Sequence, residues 1–216
     1  MSETGAQLVR YALEQLNTKH IFTVLGNHNR EIYNELNRST SINTHLLNQE
    51  ISAVFMADAI SRSAADIEVG IVLITADAII SRGIADAFIS GIPLLVITGG
   101  PVANELTDGI DPLKLLQPVT KACFKVIEFD EIVSSIFEAQ LMAISDKPGP
   151  VVVEIPINLQ VHKDDLEEPL PVHLSAANQP QIDQDQLEIC AQALMDAENP
   201  GLFLGWGAAR YREPLI

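Results

Sequence analysis

Two uninterrupted apolar runs constrain this chain more than any other feature: Gly70-Ile-Val-Leu-Ile-Thr75 and Pro93-Leu-Leu-Val-Ile-Thr98. A strand with water on one face alternates apolar and polar residues. A run without alternation needs apolar cover on both faces. The remaining sequence supplies that cover. Thr4 caps a helix from about Gly5 with Leu8, Ala12, Leu13 and Leu16 on one face, and further helical patterns span residues 30–37, 50–62, 81–90 and 129–146. Shorter strand patterns at residues 21–25, 42–47, 121–127 and 151–155 separate them. The alternation predicts an α/β fold: a doubly wound, about six-stranded parallel sheet with helices on both faces.

Composition changes after Pro156. Residues 158–181 carry Asp164, Asp165, Glu167 and Glu168 among Pro169, Pro171 and Pro180, with little apolar periodicity. They read as a connection. Residues 183–197 return to a helical pattern, and 200–207 read as a turn into a buried strand. The expected organisation is a domain over 1–160, a linker over 161–182, and the truncated start of a further domain over 183–216. One helix and one strand cannot bury their own apolar faces, so the chain reads as a fragment.

Of 216 residues, 47% are apolar and 19% charged, enough for a core without disulfides or metals. The formal net charge of −16 argues against nucleic acid, which needs clustered Lys and Arg. It also means that a diphosphate ligand needs a metal ion or another region. No apolar run is long enough to span a bilayer, and the first residues lack a secretory pattern, so a cytoplasmic location is expected. Cys123 and Cys190 match no metal or redox spacing and read as buried thiols. His20, His45, His162 and His173 show no ligand spacing either.

At the head of the helix Glu50-Ile-Ser-Ala-Val-Phe-Met-Ala-Asp58 stands one glutamate. An acidic residue in a first helical turn is favoured by the helix dipole by about 0.3–1 kcal/mol, which alone explains Glu50. The chemical reading needs more. To share a proton at neutral pH, a glutamate must rise by roughly 3 pKa units, a cost of about 4 kcal/mol. Desolvation supplies that in an apolar pocket, and Ile51, Val54 and Phe55 are apolar neighbours in sequence.

The ordered segments TGAQLVRYAL, HIFTVLGNHNREIYNEL, NQEISAVFMADAISR, IVLIT, SGIPLLVITGG, PLKLLQPVTKACFKV and KPGPVVVEIPINL resemble the N-terminal, pyrimidine-binding domain of thiamine-diphosphate-dependent enzymes of the acetolactate synthase and 2-oxo-acid decarboxylase type. The resemblance spans roughly residues 4–159, and residues 183–207 resemble the start of that family's middle domain. It implies that Glu50 is the catalytic glutamate. Its carboxyl group hydrogen-bonds a ring nitrogen of the aminopyrimidine and favours the imino tautomer that activates the cofactor for attack on a 2-oxo acid. It further implies cofactor contacts at Gly26, Thr75 and Asp77, with Asn27 and His28 facing substrate. Mg2+ would be held with the diphosphate by a C-terminal domain absent here. FAD is possible in the middle domain but unsupported. The implied assembly is a homodimer or homotetramer, for which the Glu50 helix and the 81–90 helix carry apolar surface, and the fragment alone is expected to be inactive.

Several residues depart from the family pattern. The Gly-Pro-Gly loop expected after IVLIT is replaced by Thr75-Ala-Asp-Ala-Ile-Ile-Ser81, about three residues shorter and without glycine. Gln49 stands where His is common, and Leu25-Gly26 where Pro-Gly is usual. Residues 99–109 lack paired histidines, and Asp108 is the nearest match to a Gln that relatives carry. No Gly-Asp-Gly motif occurs. The alternative implied by these changes is a degenerate, non-catalytic homologue serving dimerisation or regulation.

Overall fold

The computed structural model describes residues 2–64, 68–75, 81–100, 111–165, 169–173 and 183–201, with 203, 205 and 208. The chain divides into two compact units, Met1–Ala176 and Ala177–Ile216. In the first, a six-stranded sheet is formed by β2 (His20–Thr23), β3 (Asn43–Leu46), β4 (Gly70–Thr75), β5 (Leu94–Gly100), β6 (Ala122–Lys125) and β7 (Pro150–Pro156). The strand order is β3-β2-β4-β5-β7-β6, and every pairing is parallel. The two unalternated apolar runs are β4 and β5, paired from Gly70↔Leu94 to Thr75↔Gly99.

Strand pleating sends alternate residues into two separate cores. Ile71 and Leu73 of β4, Leu95 and Ile97 of β5, and Val151, Val153 and Ile155 of β7 face one core. Across it lie α1 (Gly5–Gln15), α2 (Arg30–Leu36) and α6 (Glu131–Ile144). Val72, Ile74, Leu94, Val96 and Val152 face the other, against α3 (Glu50–Ser63) and α4 (Ser81–Ser90). Helices therefore cover both faces, as the unalternated runs require. Each fully buried aliphatic side chain contributes about 1.5–3 kcal/mol.

Local signals hold at the element ends. Thr4 Oγ1 accepts from Gln7 N–H and the Gln7 side chain answers the Thr4 N–H, a reciprocal cap on α1. Four short elements carry no apolar periodicity and escaped the sequence reading. These are the short helices α5 (Pro112–Leu116) and α7 (Ile157–Val161), and a two-stranded antiparallel sheet of β1 (Ser2–Thr4) with β8 (Lys163–Asp165). That small sheet is largely exposed, so nothing in its side chains announces it. Residues 163–165, read as part of a connection, are thereby structured within the first unit.

One buried hydroxyl sets the placement of α3. Ser61, near its C-terminal end, donates to Pro93 O and accepts from Gly70 N–H, both at 2.7 Å. Arg62 adds an ion pair with Asp58 and another with Asp86 of α4 at 2.9 Å. The helix is thus pinned at the entry of β4 and β5, and its N-terminal Glu50 comes to the opposite, C-terminal end of the sheet.

In the second unit, α8 (Gln184–Asp196) is capped by Asp183 and buries none of its residues. Cys190 lies on it and is exposed, which corrects the reading of both cysteines as buried; Cys123 is half-buried. Of the strand read within 200–207, residues 202, 204, 206 and 207 lie outside the described residues. Among the described residues no helix is long and apolar enough to cross a membrane.

Candidate active site

The strand order creates a crevice. From β2 the chain moves outward to β3, then returns past β2 to form β4 on its other side. Connections leaving β2 and β4 diverge, and the space at their C-terminal ends is where open α/β sheets bind ligands.

Three of the residues singled out in the sequence meet there. Glu50 begins α3, preceded by Gln49, whose side chain makes no capping bond. The Glu50 carboxylate is half-buried, and its Oε1 accepts from Thr75, from its N–H at 3.2 Å and from its hydroxyl. A carboxylate at the head of α3 is thereby fastened to the last residue of β4. Gly26 completes the group. A Cβ on Gly26 would stand 2.2 Å from Thr75 Cγ2, so the β2–α2 loop passes directly over the threonine.

That loop is shaped by a residue the sequence reading overlooked. Asn29 is fully buried; its Oδ1 accepts from Gly26 N–H at 2.8 Å and its Nδ2 donates to Val24 O at 2.9 Å. Because the side chain turns back over the loop, it makes no capping bond to α2. The signal was present as an Asn three residues after a Gly in a polar turn. Asn27 is exposed, and its Oδ1 accepts from Arg30 at 3.5 Å. His28 is half-buried. Both share the loop with Gly26. Asp77 lies outside the described residues, as does Asp108.

The apolar neighbours proposed for Glu50 separate in space. Val54 is fully buried toward the sheet and Ile51 is half-buried, whereas Phe55 is 42% exposed. Helical geometry explains this, since consecutive residues on α3 cannot all face the crevice. His20 and His45, unremarkable in spacing, are brought together across paired strands with Nδ1 and Nε2 3.1 Å apart, and Phe22 stacks on His45. Among the described residues no three His, Cys, Asp or Glu side chains converge to hold a metal ion.

The family model described as "Thiamine pyrophosphate enzyme, N-terminal TPP binding domain" matches residues 3–119, more than half of the chain. This chain belongs to that family. Its curated relatives include acetolactate synthase 3, chloroplastic, of Brassica napus, 30% identical over 98% of this chain. The acetolactate synthase large subunit of Haemophilus influenzae is 31% identical over 99%, and the isozyme 3 large subunit of Escherichia coli 30% over 95%. The chain spans 34%, 39% and 37% of the lengths of these three proteins.

For a thiamine pyrophosphate enzyme N-terminal domain, the cluster fits one end of the cofactor. Ring nitrogens of an aminopyrimidine accept hydrogen bonds, and the carboxyl group at this switch-point crevice is a group that would donate one in its protonated form. Among the described residues no cluster converges to hold a metal ion for the diphosphate end, and the full chain carries a formal net charge of −16.

Proposed function

We propose that this chain is the pyrimidine-binding domain of a thiamine-diphosphate-dependent 2-oxo-acid decarboxylase or carboligase of the acetolactate synthase kind, and that Glu50 activates the cofactor. The observation that carries the reading is the fastening of the Glu50 carboxylate to Thr75 at the C-terminal end of β4, beneath the Gly26 turn. When bound, thiamine diphosphate supplies the electron sink that loss of carbon dioxide from a 2-oxo acid requires. The chain's own residues do the rest. Glu50 holds and returns a proton at its carboxyl oxygen; Thr75 orients that carboxyl; Gly26 leaves room for the Thr75 methyl. Asn29 keeps the loop in shape, and Asn27 and His28 face the substrate.

In this reading residues 183–216 open a central domain. Mg2+ and the diphosphate are held by a further domain of the full-length enzyme, and residues 1–216 alone do not turn over. The exposed Phe55 and Met56 of α3 and Ile89 of α4, the last 76% exposed, supply apolar surface for a second copy.

The test is Glu50→Gln in the full-length protein. Carbon dioxide release from any 2-oxo acid the wild type accepts should fall at least about a hundredfold, the scale of a lost acid–base group. Unchanged release removes Glu50 from the mechanism. A wild type that neither binds thiamine diphosphate nor releases carbon dioxide would return the alternative, a non-catalytic homologue.

A further inference from the structure

The β2–α2 loop is held from two sides, and only Asn29 is local. The His28 carbonyl lies just outside α2, whose N-cap carbonyl Asn29 O accepts from Tyr33 N–H at 3.0 Å. It therefore needs a donor from elsewhere. Gln160, on α7 and 132 residues further along, supplies it. One Nε2 hydrogen goes to His28 O and the other to Ile155 O at the end of β7, both at 2.7 Å. Two carbonyl acceptors can face only the nitrogen of a carboxamide, so the orientation of the amide is set by its partners.

Below the same peptide lies the end of β5. A Cβ on Gly99 would stand 1.6 Å from His28 O, so no other residue fits beneath the loop as it is placed. Gln160 is fully buried, and its Oε1 has no hydrogen-bond partner among the described residues. A residue kept for packing alone would be Leu or Met, which carry no buried, unpaired acceptor. The retained amide points to its two donors as the reason for the glutamine.

We infer that Gln160 is a positioning residue whose buried carboxamide sets the height of the Asn27–His28 turn over the sheet, and with it the affinity for substrate. The inference rests on the reading of Asn27 and His28 as substrate-facing. Gly26 has its own anchor in the Asn29 side chain, so the cofactor side of the loop keeps a hold that Gln160 does not supply directly.

The experiment compares full-length wild type with Gln160→Met, similar in length but without a donor, and Gln160→Glu, whose buried carboxyl stays protonated and keeps one donor. For Gln160→Met, KM for the 2-oxo acid should rise about tenfold while kcat and thiamine diphosphate affinity hold, with Gln160→Glu between it and wild type. Amide exchange in a peptide covering residues 24–33 should quicken in the same order. If Gln160→Met fails to fold, Gln160→Glu against wild type carries the comparison. Unchanged exchange in a folded variant overturns the clamp, and quicker exchange with unchanged KM overturns its role in substrate affinity. A wild type without thiamine diphosphate binding defeats the functional reading beneath, while the exchange data still judge the clamp.

Discussion

Replacing Gly26 with alanine tests whether the loop, β4 and Glu50 form one unit. The new methyl would fall 2.2 Å from Thr75 Cγ2, far inside contact distance. Threonine is stiff at its first side-chain torsion, so it cannot absorb this by a small twist. Either it changes rotamer and its hydroxyl leaves Glu50, losing a hydrogen bond of about 1 kcal/mol, or the loop lifts. Overpacking of this kind costs about 1–3 kcal/mol, offset by about 0.4–1 kcal/mol because alanine restricts the unfolded chain. Thr75→Ser removes the offending methyl and keeps the hydroxyl, at about 0.8 kcal/mol for the lost group. Combined, the two changes should cost roughly 1 kcal/mol less than their sum. Urea denaturation of the four proteins of the cycle, followed by far-ultraviolet circular dichroism, measures this. Strict additivity would mean that Gly26 and Thr75 are not in contact, and the site as described would be wrong.

The remaining predictions concern groups away from the crevice. Lys121 Nζ donates to Met142 O and Ser145 O at 2.6 Å and to Ser145 Oγ at 3.2 Å, closing the C-terminal end of α6. Lys121→Met should cost about 1–2 kcal/mol in the same denaturation assay. Burial pushes the Lys121 amine below the ordinary lysine range, with Asp146 opposing. The unfolded chain then keeps that proton to higher pH than the folded one, so stability gains as pH rises through the window between the two values. The gap between wild type and Lys121→Met should therefore widen toward alkaline pH, and a gap that narrows contradicts the assignment. Cys123 is half-buried; desolvation raises its pKa, Asp111 and Glu154 add to the rise, and the hydrogen bond to Thr120 opposes it. Disulfide-reagent titration of the 216-residue chain should show a fast phase from the exposed Cys190 and a slow, alkali-dependent phase from Cys123, and Cys190→Ser should delete the fast one.

Much of the fold was legible because it depends on local pattern. The unalternated runs became β4 and β5 at the centre of the sheet, and Thr4 capped α1 as its position before an apolar periodic run implied. Glu50 opens α3, where the sequence placed it. Elements stabilised by backbone pairing alone were not legible. β8 is the exposed Lys163-Asp164-Asp165, whose side chains say nothing of the strand it joins.

The resemblance named Glu50, Gly26 and Thr75, but how the site's residues touch one another was not legible, for a related reason. Thr75 lies 25 residues from Glu50, and Gln160 lies 132 from His28. Which strand ends become neighbours in a parallel sheet depends on where the crossovers turn back. No periodicity records that, because it follows from the packing of whole helices on a twisted sheet. The amino-acid sequence alone determined that there would be buried strands, covering helices and a carboxylate at the head of α3. Only the assembled sheet decided that this carboxylate would meet a threonine, that a glycine would lie over that threonine, and that a distant glutamine would hold the turn beside them. Hydrophobic patterning acts residue by residue along the chain, whereas a site at a switch point is made by strands that the chain visits out of order.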